Sequence, residues 1–381
     1  ICPVKALAKR ADGVIDVDPA ACIGCKSCMQ GCPYDALYIN EDSGTAQKCH
    51  FCVHRTEVGL APACAVVCPT EAIIPGDFHD AESRVSRMRT EHGLTARKTE
   101  AGTGPNVFYR DVAPAGIDPA LTNLSTGSIW ADVQPGIQLD AQRFEREALG
   151  EAERQAQART SYDVSHPPLW GWKVSTYLFT KSLAAGAFLG SALLFGTWDQ
   201  AGGLSPRAAA IASGLGLFFL FLTMWLLVAD LKRPERFLFI LLRPNWSSWL
   251  VRGGIVLGAY GLLLLLWMVV VLFDGLSGSP LRGALALLTG VAAALTAVYT
   301  AWLFGQAKGR VLWMWKPLAP HLLVQAVAAG AALLLVVAPL LGLPEQARGI
   351  LGSWLFGELS GARLGDHCAK RSDLRPGENA P

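Results

Sequence analysis

The cysteines near the start of the chain have the spacing of metal ligands. The first complete run ends in proline and reads Cys22-x2-Cys25-x2-Cys28-x3-Cys32-Pro33. In bacterial ferredoxins three closely spaced thiolates hold one [4Fe–4S] cluster, and the fourth cysteine reaches to another cluster. The run therefore predicts iron–sulfur chemistry, which is the transfer of single electrons.

A second run keeps both ends of this pattern but has a longer middle, so its third ligand comes from a loop. It reads Cys49-x2-Cys52-x11-Cys64-x3-Cys68 and also ends in proline. Disulfides and zinc are the alternatives. Disulfides rarely use four cysteines in so short a run, and zinc sites are usually closed by four ligands without the trailing Cys-x3-Cys-Pro. Both runs therefore favour iron–sulfur clusters.

The early cysteines do not divide evenly among clusters with four ligands each. Cys2, followed by proline, looks like the closing ligand of an earlier run. If the two complete runs exchange closing ligands, Cys2 is left over. If Cys2 instead completes the Cys22 triplet, the remaining cysteines need partners upstream. Because the chain begins at Ile1 rather than Met, we expect that an N-terminal portion is absent from this sequence.

Composition indicates two different halves. The chain has 381 residues, 51% of them hydrophobic, and a mean hydropathy of +0.32, which is too apolar for an ordinary soluble protein. Its net charge of +2 gives no sign of a nucleic-acid partner. We predict a loop-rich ferredoxin-like α+β domain over 1–78, stabilised mainly by its clusters. An irregular connector over 79–165, docked on its neighbours and containing one exposed helix at 140–159, should follow.

The C-terminal half predicts an all-α bundle of transmembrane helices over 166–360. Each apolar span has the roughly 20 residues needed to cross a membrane. The spans are 174–196, 208–229, 253–273, 283–303 and 318–341. A partial sixth stretch lies at 350–359, and a polar tail at 361–381 contains Cys368, which we do not expect to be a ligand. Glycine and alanine within the spans suit close helix packing in lipid.

Because consecutive spans alternate sides, the iron–sulfur end and the loops 230–252 and 304–317 share one face, which we term the cluster face. Most basic loop residues lie there: Lys232, Arg233, Arg236, Arg243, Arg252, Lys308, Arg310 and Lys316. By the positive-inside rule this face is cytoplasmic. The arginines could alternatively serve to bind the neighbouring domain or a redox site.

Polar side chains within the spans lie at similar depths below the cluster face. At about 1.5 Å per residue, Lys181 and Tyr299 lie about two turns deep, with His321 one turn in and Asp230 at the boundary. Such groups near a cluster suit a quinone, whose carbonyls accept hydrogen bonds and whose reduction takes up protons. Singly, Lys181 could instead extend its amine to the surface, and Asp230 could pair with Arg233.

The cysteine-rich half resembles the four-cluster electron-transfer subunits that accompany molybdopterin oxidoreductases such as polysulfide and dimethyl sulfoxide reductases. The stretches that carry the resemblance are KCHFCVHR at 48–55, GLAPAC at 59–64 and VCPTEAI at 67–73. In that family the two inner runs pair with each other, and so do the two outer runs. The resemblance therefore implies that Cys2 completes the Cys22 triplet, that the intact protein holds about two to four clusters, and that a molybdopterin catalytic subunit is its partner.

The helical half, from about 168 to 341, resembles the quinone-binding membrane anchors of the polysulfide reductase and NrfD type. The matching motifs are Trp172-x4-Tyr177-x3-Lys181, DLKRPERF at 230–237, RPNWSS at 243–248 and Tyr299-Thr300. The resemblance implies a site for menaquinone or ubiquinone near the clusters, no haem, and a fusion of two normally separate subunits. Its expected residues are Tyr177, Lys181, Asp230, Arg233, Tyr299 and His321. Many relatives hold their iron–sulfur subunit outside the cytoplasm, and they have more spans than this chain.

These features predict a subunit of the bacterial cytoplasmic membrane that passes electrons between the quinone pool and a separate catalytic subunit. We expect no substrate chemistry of its own beyond quinone redox. The spans contain one histidine, His321, so a bis-histidine haem has no axial pair. One alternative is a proton-translocating module that uses Lys181, Asp230 and His321, although the far halves of the spans hold few polar residues. Another is a sensor or assembly protein with structural clusters.

Overall fold

The computed structural model describes residues 1–117, 170–198, 205–273, 280–308 and 311–361. Contacts divide the chain into two compact units: residues 1–73 group with the described residues from Trp170 onward, and a second unit begins at Ile74. The predicted helix at 140–159 and the polar tail with Cys368 fall outside the described residues.

Residues 1–73 form two antiparallel hairpins linked by one short helix and followed by two more, which confirms the ferredoxin-like prediction. The elements are β1 (Leu7–Lys9), β2 (Ile15–Val17), α1 (Ser27–Gly31), β3 (Leu37–Ile39), β4 (Ala46–Lys48), α2 (Val53–Thr56) and α3 (Ala63–Val66). The buried apolar core of this segment is small and includes Val4, Ala6, Ile23 and Ala46 around Cys22. So small a core is typical of domains that depend on bound metal for stability.

The described part of the second unit, residues 74–117, contains a helix that we did not predict. Its helix α4 (Arg84–Glu91) begins after Ser83, whose Oγ accepts a hydrogen bond from the backbone N–H of Ser86. Arg89 packs between two phenylalanine rings and forms a local core with them. Its guanidinium carbon lies 5.4 Å from the centre of the Phe78 ring and 5.2 Å from the centre of the Phe108 ring. The short helix α5 (Pro114–Ile117) ends the described part of this unit.

The helical segment contains the predicted bundle. Its elements are α6 (Trp172–Trp198), α7 (Pro206–Ala229), α8 (Phe239–Leu242), α9 (Trp249–Leu272), α10 (Pro280–Gly305), α11 (Leu318–Val336), α12 (Ala338–Leu341) and α13 (Glu345–Gly361). Within the described residues, four helices (α7, α9, α10 and α11) are long and apolar enough to cross a membrane. The first predicted span forms α6, whose 27 residues pack against α7, α10 and α11.

The end of the bundle differs from the prediction. We expected one span over 318–341, but the helix ends at Val336 and the short α12 follows. Pro339 lacks a backbone N–H and so cannot continue the hydrogen-bond ladder of a long helix. The sixth stretch is longer than predicted, because α13 has 17 residues.

Glycines let α6 and α11 approach each other closely. A Cβ added to Gly186 would lie 1.9 Å from the carbonyl oxygen of Ala326, and one added to Gly330 would lie 2.1 Å from the backbone of Gly186. Ala184 and Ala185, in the same turn of α6, are fully buried. The predicted close packing through small residues is therefore confirmed at this crossing.

Candidate functional site

Four cysteines line one pocket in the N-terminal segment: Cys2, Cys22, Cys25 and Cys28. The remaining walls are mostly apolar and include Val4, Val17, Ile23 and Ala46, with Lys26 at one side. The backbone N–H of Ala46 points at this group and lies 3.4 Å from the Sγ of Cys22. Of the two pairings left open above, the structure brings together the one that includes Cys2.

The arrangement fits an iron–sulfur cluster. In the described part of the chain, no three His, Cys, Asp or Glu side chains converge on one metal-ion position. The four cysteines instead line one pocket, and four thiolates are the number that one [4Fe–4S] cluster needs. An apolar lining and a backbone N–H at a ligand sulfur are both features that adjust the potential of such a cluster.

Burial also affects the thiols themselves. Burial is the main cause that raises the pKa of Cys25 to about 11 and the pKa of Cys28 to about 12. The neighbouring thiols of Cys2 and Cys22 add to both shifts, which is a sign of their proximity. At neutral pH these two thiols are therefore protonated without metal, and a metal that binds them must displace their protons.

The other five early cysteines differ in exposure. Cys49 and Cys64 are exposed, whereas Cys32, Cys52 and Cys68 are half-buried. Hydrogen bonds lower the pKa of the Cys68 thiol, chiefly one with the Thr70 hydroxyl and a further one from the Ala72 N–H, 3.2 Å away. Their role as cluster ligands stays a prediction.

Side chains from the helical segment bind the backbone of the cysteines that line the pocket. The Nδ2 of Asn245 donates to the Cys2 carbonyl (2.7 Å), and a guanidinium nitrogen of Arg236 donates to the Cys22 carbonyl (3.1 Å). The indole N–H of Trp170 donates to the Cys25 carbonyl (3.3 Å). Side chains of the helical segment thus bind the backbone carbonyls of three of the four pocket cysteines.

The loop that follows α7 also contacts the backbone of the cysteine pocket. The backbone N–H groups of Lys232 and Arg233 donate to the carbonyls of Gly24 and Ile23, both at 3.3 Å. Gly24 has a φ of +67°, and a Cβ there would lie 2.6 Å from the Cβ of Lys232. Only glycine fits this contact, because any side chain would both strain the backbone and push the loop away.

Asp230 and Arg233, both predicted for the quinone site, contact the N-terminal segment instead. The suggested pairing between them is wrong: Asp230 accepts from the Nζ of Lys26, and Arg233 binds Glu235 and the Ser43 carbonyl. The prediction failed because Asp230 and Arg233 both contact residues far away in sequence, which the sequence of the turn alone does not reveal. Arg233 and Arg236 therefore contribute to the contact between the N-terminal and helical segments. This second role weakens the positive-inside argument for a cytoplasmic cluster face.

Lys181 and Tyr299 meet inside the bundle, as their predicted depths suggest. The Nζ of Lys181 donates to the Ala297 carbonyl (2.8 Å) and the Thr300 hydroxyl (2.7 Å), and it lies 5.1 Å from the centre of the Tyr299 ring. The side chain is only 1% exposed, so the alternative that it extends to the surface is wrong. Tyr177 is also buried and precedes Lys181 by one turn of α6. We term Tyr177, Lys181 and Tyr299 the polar centre.

His321 is not part of the polar centre. It is exposed in the first turn of α11, where its ring meets Trp315 edge to face at 6.1 Å. The predicted depth of His321 was similar to the depths of Lys181 and Tyr299, but depth does not fix the direction in which a helical side chain points. Of the six predicted quinone-site residues, Lys181 and Tyr299 therefore meet inside the bundle, and Tyr177 is buried one turn away from Lys181 on α6.

A second cavity, which the sequence reasoning missed, lies between residues of α9, α10 and the start of α11. Its volume is about 370 Å³, and its walls include Trp249, Trp302, Trp313, Trp315 and the polar side chains of Gln306 and Lys316. We term it the tryptophan pocket. Trp313 stacks on Trp170 at 5.5 Å, and Trp170 in turn binds the Cys25 carbonyl. The concentration of tryptophan over 249–315 was the available signal, but tryptophan is also common at membrane interfaces without any ligand.

Comparison with known families divides the chain in two. Residues 1–78 match the 4Fe-4S dicluster domain, and residues 160–347 match the family of polysulphide reductase, NrfD. The first match covers all nine early cysteines, and the second covers the polar centre and the tryptophan pocket.

Curated relatives match the cysteine-rich part. A subunit of tetrathionate reductase from Salmonella typhimurium is 44% identical over 135 residues, which is 35% of this chain and 54% of that protein. A subunit of polysulfide reductase from Wolinella succinogenes is 34% identical over 119 residues (31% and 62%). The arsenate respiratory reductase iron-sulfur subunit ArrB of a Shewanella species is 32% identical over 157 residues (29% and 67%). The chain thus spans about half to two thirds of the length of these relatives.

Proposed function

Because this chain belongs to the family of reductase iron–sulfur subunits, here joined to an NrfD-type membrane domain, we propose that it transfers electrons between a membrane quinone pool and a separate catalytic subunit. We further propose that it lies in the bacterial cytoplasmic membrane and that its catalytic partner is of the molybdopterin type. The observation that carries the proposal is the set of hydrogen bonds from Trp170, Arg236 and Asn245 to the cysteines that line the pocket.

The cysteine pocket supplies the electron-transfer end. Cys2, Cys22, Cys25 and Cys28 would hold a [4Fe–4S] cluster, which accepts and donates one electron at a time when bound. The bonds from the helical segment fix three of these backbones, so the ligands move little when the charge at the site changes. The apolar walls exclude water and thereby reduce solvent rearrangement during transfer.

The tryptophan pocket suits the headgroup of menaquinone or ubiquinone. Its volume of about 370 Å³ falls in the range of small-molecule sites. A flat quinone ring can stack on tryptophan faces, and the Lys316 ammonium can donate to a quinone carbonyl. The contact from Trp313 through Trp170 to Cys25 supports a short path between this pocket and the cysteine pocket.

The polar centre suits proton exchange with the quinone. Helix α10 connects the two sites, because Thr300 accepts from Lys181 while the next residue, Ala301, lines the tryptophan pocket. Reduction of a quinone takes up two protons, and buried Lys181 with Tyr177 and Tyr299 offers exchangeable ones. Asp230 at the edge of the polar centre and His321 beside Trp315 are the proposed links to water.

Proton translocation is the alternative function, and the structure favours it less. A path across the bilayer needs polar groups that bond to one another, but the deeper hydroxyls that form hydrogen bonds in the described residues donate to backbone carbonyls, and Tyr260 donates to Ala184 of α6. Ser213 donates to Ala209 and Thr289 donates to Leu285. Translocation would show as acidification or alkalinisation of proteoliposomes during quinone reduction.

We predict that the purified full chain contains iron and acid-labile sulfide and no haem. Its visible spectrum should show a broad band that dithionite bleaches, as expected for [4Fe–4S] clusters. Haem α peaks in the reduced spectrum would contradict the predicted cofactor set, and absence of iron would contradict the proposed function.

Replacement of Trp302 by alanine should weaken quinone binding about tenfold, because one stacking face worth about 1 kcal/mol or somewhat more is lost. The measurement is the quinone concentration that gives the half-maximal rate of oxidation of dithionite-reduced protein in lipid nanodiscs. Trp225→Ala is the control, since Trp225 is an exposed residue of α7. Equal weakening of quinone binding by both substitutions would show that the headgroup does not bind in the tryptophan pocket.

A further inference from the structure

Lys26 connects the cysteine pocket to the helical segment. It lies between Cys25 and Cys28, has a left-handed backbone with a φ of 62°, and lines the same pocket as the four cysteines. Its Nζ lies 3.1 Å from Oδ2 of Asp230 and 3.3 Å from Oδ1. One lysine of the pocket wall is therefore ion-paired with a carboxylate more than two hundred residues away in sequence.

This ion pair is largely enclosed. The side chains of Lys26 and Asp230 are 11% and 15% exposed, whereas those of the Arg10–Glu57 pair are 37% and 56% exposed. Water and salt screen an enclosed pair much less than an exposed one. Water and salt therefore weaken the fields of Lys26 and Asp230 less than those of the exposed pair.

The position of Asp230 makes the pairing necessary. Asp230 is the C-terminal capping residue of α7, and the partial negative charge of a helix C-terminus disfavours a carboxylate there. Lys173 also approaches this end and donates to the Ala229 carbonyl at 2.7 Å. Lys26 supplies the cation that touches the carboxylate itself, and it does so from the loop that carries two of the pocket cysteines.

We propose that Lys26 and Asp230 set the reduction potential of the cluster held by Cys2, Cys22, Cys25 and Cys28, and that they act with opposite signs. This inference rests on the proposed cluster site. Reduction adds one negative charge to the pocket, which the Lys26 ammonium stabilises and the Asp230 carboxylate opposes. The helical segment thus adjusts the electron affinity of the cluster through a carboxylate that is not one of its ligands.

The test is a redox titration of the full chain in lipid nanodiscs, followed by electron paramagnetic resonance of the reduced cluster. Lys26→Met should lower the equilibrium constant for one-electron reduction about tenfold, which corresponds to about 59 mV. Asp230→Asn should raise it by a similar factor. Lys9→Met is the control, because Lys9 is an exposed lysine of β1 and its charge is screened by water.

The opposite signs separate this proposal from a purely structural role. A pair that only joins the two segments would, when broken from either side, shift the potential in the same direction or leave it unchanged, and either result would overturn the proposal. If Lys26→Met does not retain a cluster, Lys26→Gln and Lys26→Arg replace it, and only the arginine variant should keep the native potential. Absence of iron from the unmodified chain would instead refute the proposed function.

Discussion

Replacement of Lys181 by methionine is expected to slow electron exchange between quinone and the reduced cluster by about 100-fold or more. The Lys181 ammonium is fully buried, and its Nζ donates hydrogen bonds to the Ala297 carbonyl and the Thr300 hydroxyl. Methionine preserves the length and packing of the side chain but removes its exchangeable protons. Loss of a positioned proton donor typically costs a factor of about 10² to 10⁴.

The measurement is stopped-flow oxidation of dithionite-reduced protein by a short-chain quinone. Iron content and the resonance spectrum of the reduced cluster should be unchanged, because the hydrogen bonds from Lys181 go to α10 within the bundle. Lys173→Met is the matched control on the same helix, where the lysine only caps the end of α7. Native rates in Lys181→Met would refute the proton role of the polar centre.

Replacement of Gly186 by valine is expected to prevent assembly of the helical bundle. A Cβ at this position would lie 1.9 Å from the carbonyl oxygen of Ala326 and 2.7 Å from the backbone nitrogen of Gly330. Overpacking commonly costs about 1–3 kcal/mol where side chains can shift. Here the obstacle is the backbone of α11, so the two helices must separate and we expect a larger cost.

Gly258→Val provides the comparison, because Gly258 lies in the spanning helix α9 and a Cβ there meets no atom within 4 Å. The measurement is the yield of monodisperse protein in detergent and its thermal stability. Gly258→Val should behave like the unmodified chain, while Gly186→Val should aggregate. Similar stability of the two variants would show that the glycine contact between α6 and α11 does not hold the bundle together.

The cysteine pattern and the span pattern predicted the two halves of the fold because both signals are local. Ligand spacing is a property of short stretches, and a spanning helix needs only a run of apolar residues. The helix α4 was not predicted, since it depends on a serine cap and on Arg89 between two phenylalanine rings. Contacts of this kind are specific to the folded chain.

Depth was predictable for the polar residues, but direction was not. The rise per residue puts Lys181 and Tyr299 at the same level, and the structure brings them together. His321 was expected there as well, yet it faces Trp315 on the exposed side of α11. The partner of Asp230 could not be inferred, because Lys26 belongs to a different segment and only the folded interface brings the two together.

The most direct test of the account isolates the cluster of the cysteine pocket. In the variant with Cys49, Cys52 and Cys64 all replaced by serine, the cluster held by Cys2, Cys22, Cys25 and Cys28 should remain. The variant is reduced with dithionite in lipid nanodiscs, excess reductant is removed, and the resonance signal of the reduced cluster is counted before and after addition of quinone. We predict that quinone abolishes the signal within seconds. A signal that persists undiminished at saturating quinone would contradict electron transfer between this cluster and the membrane quinone.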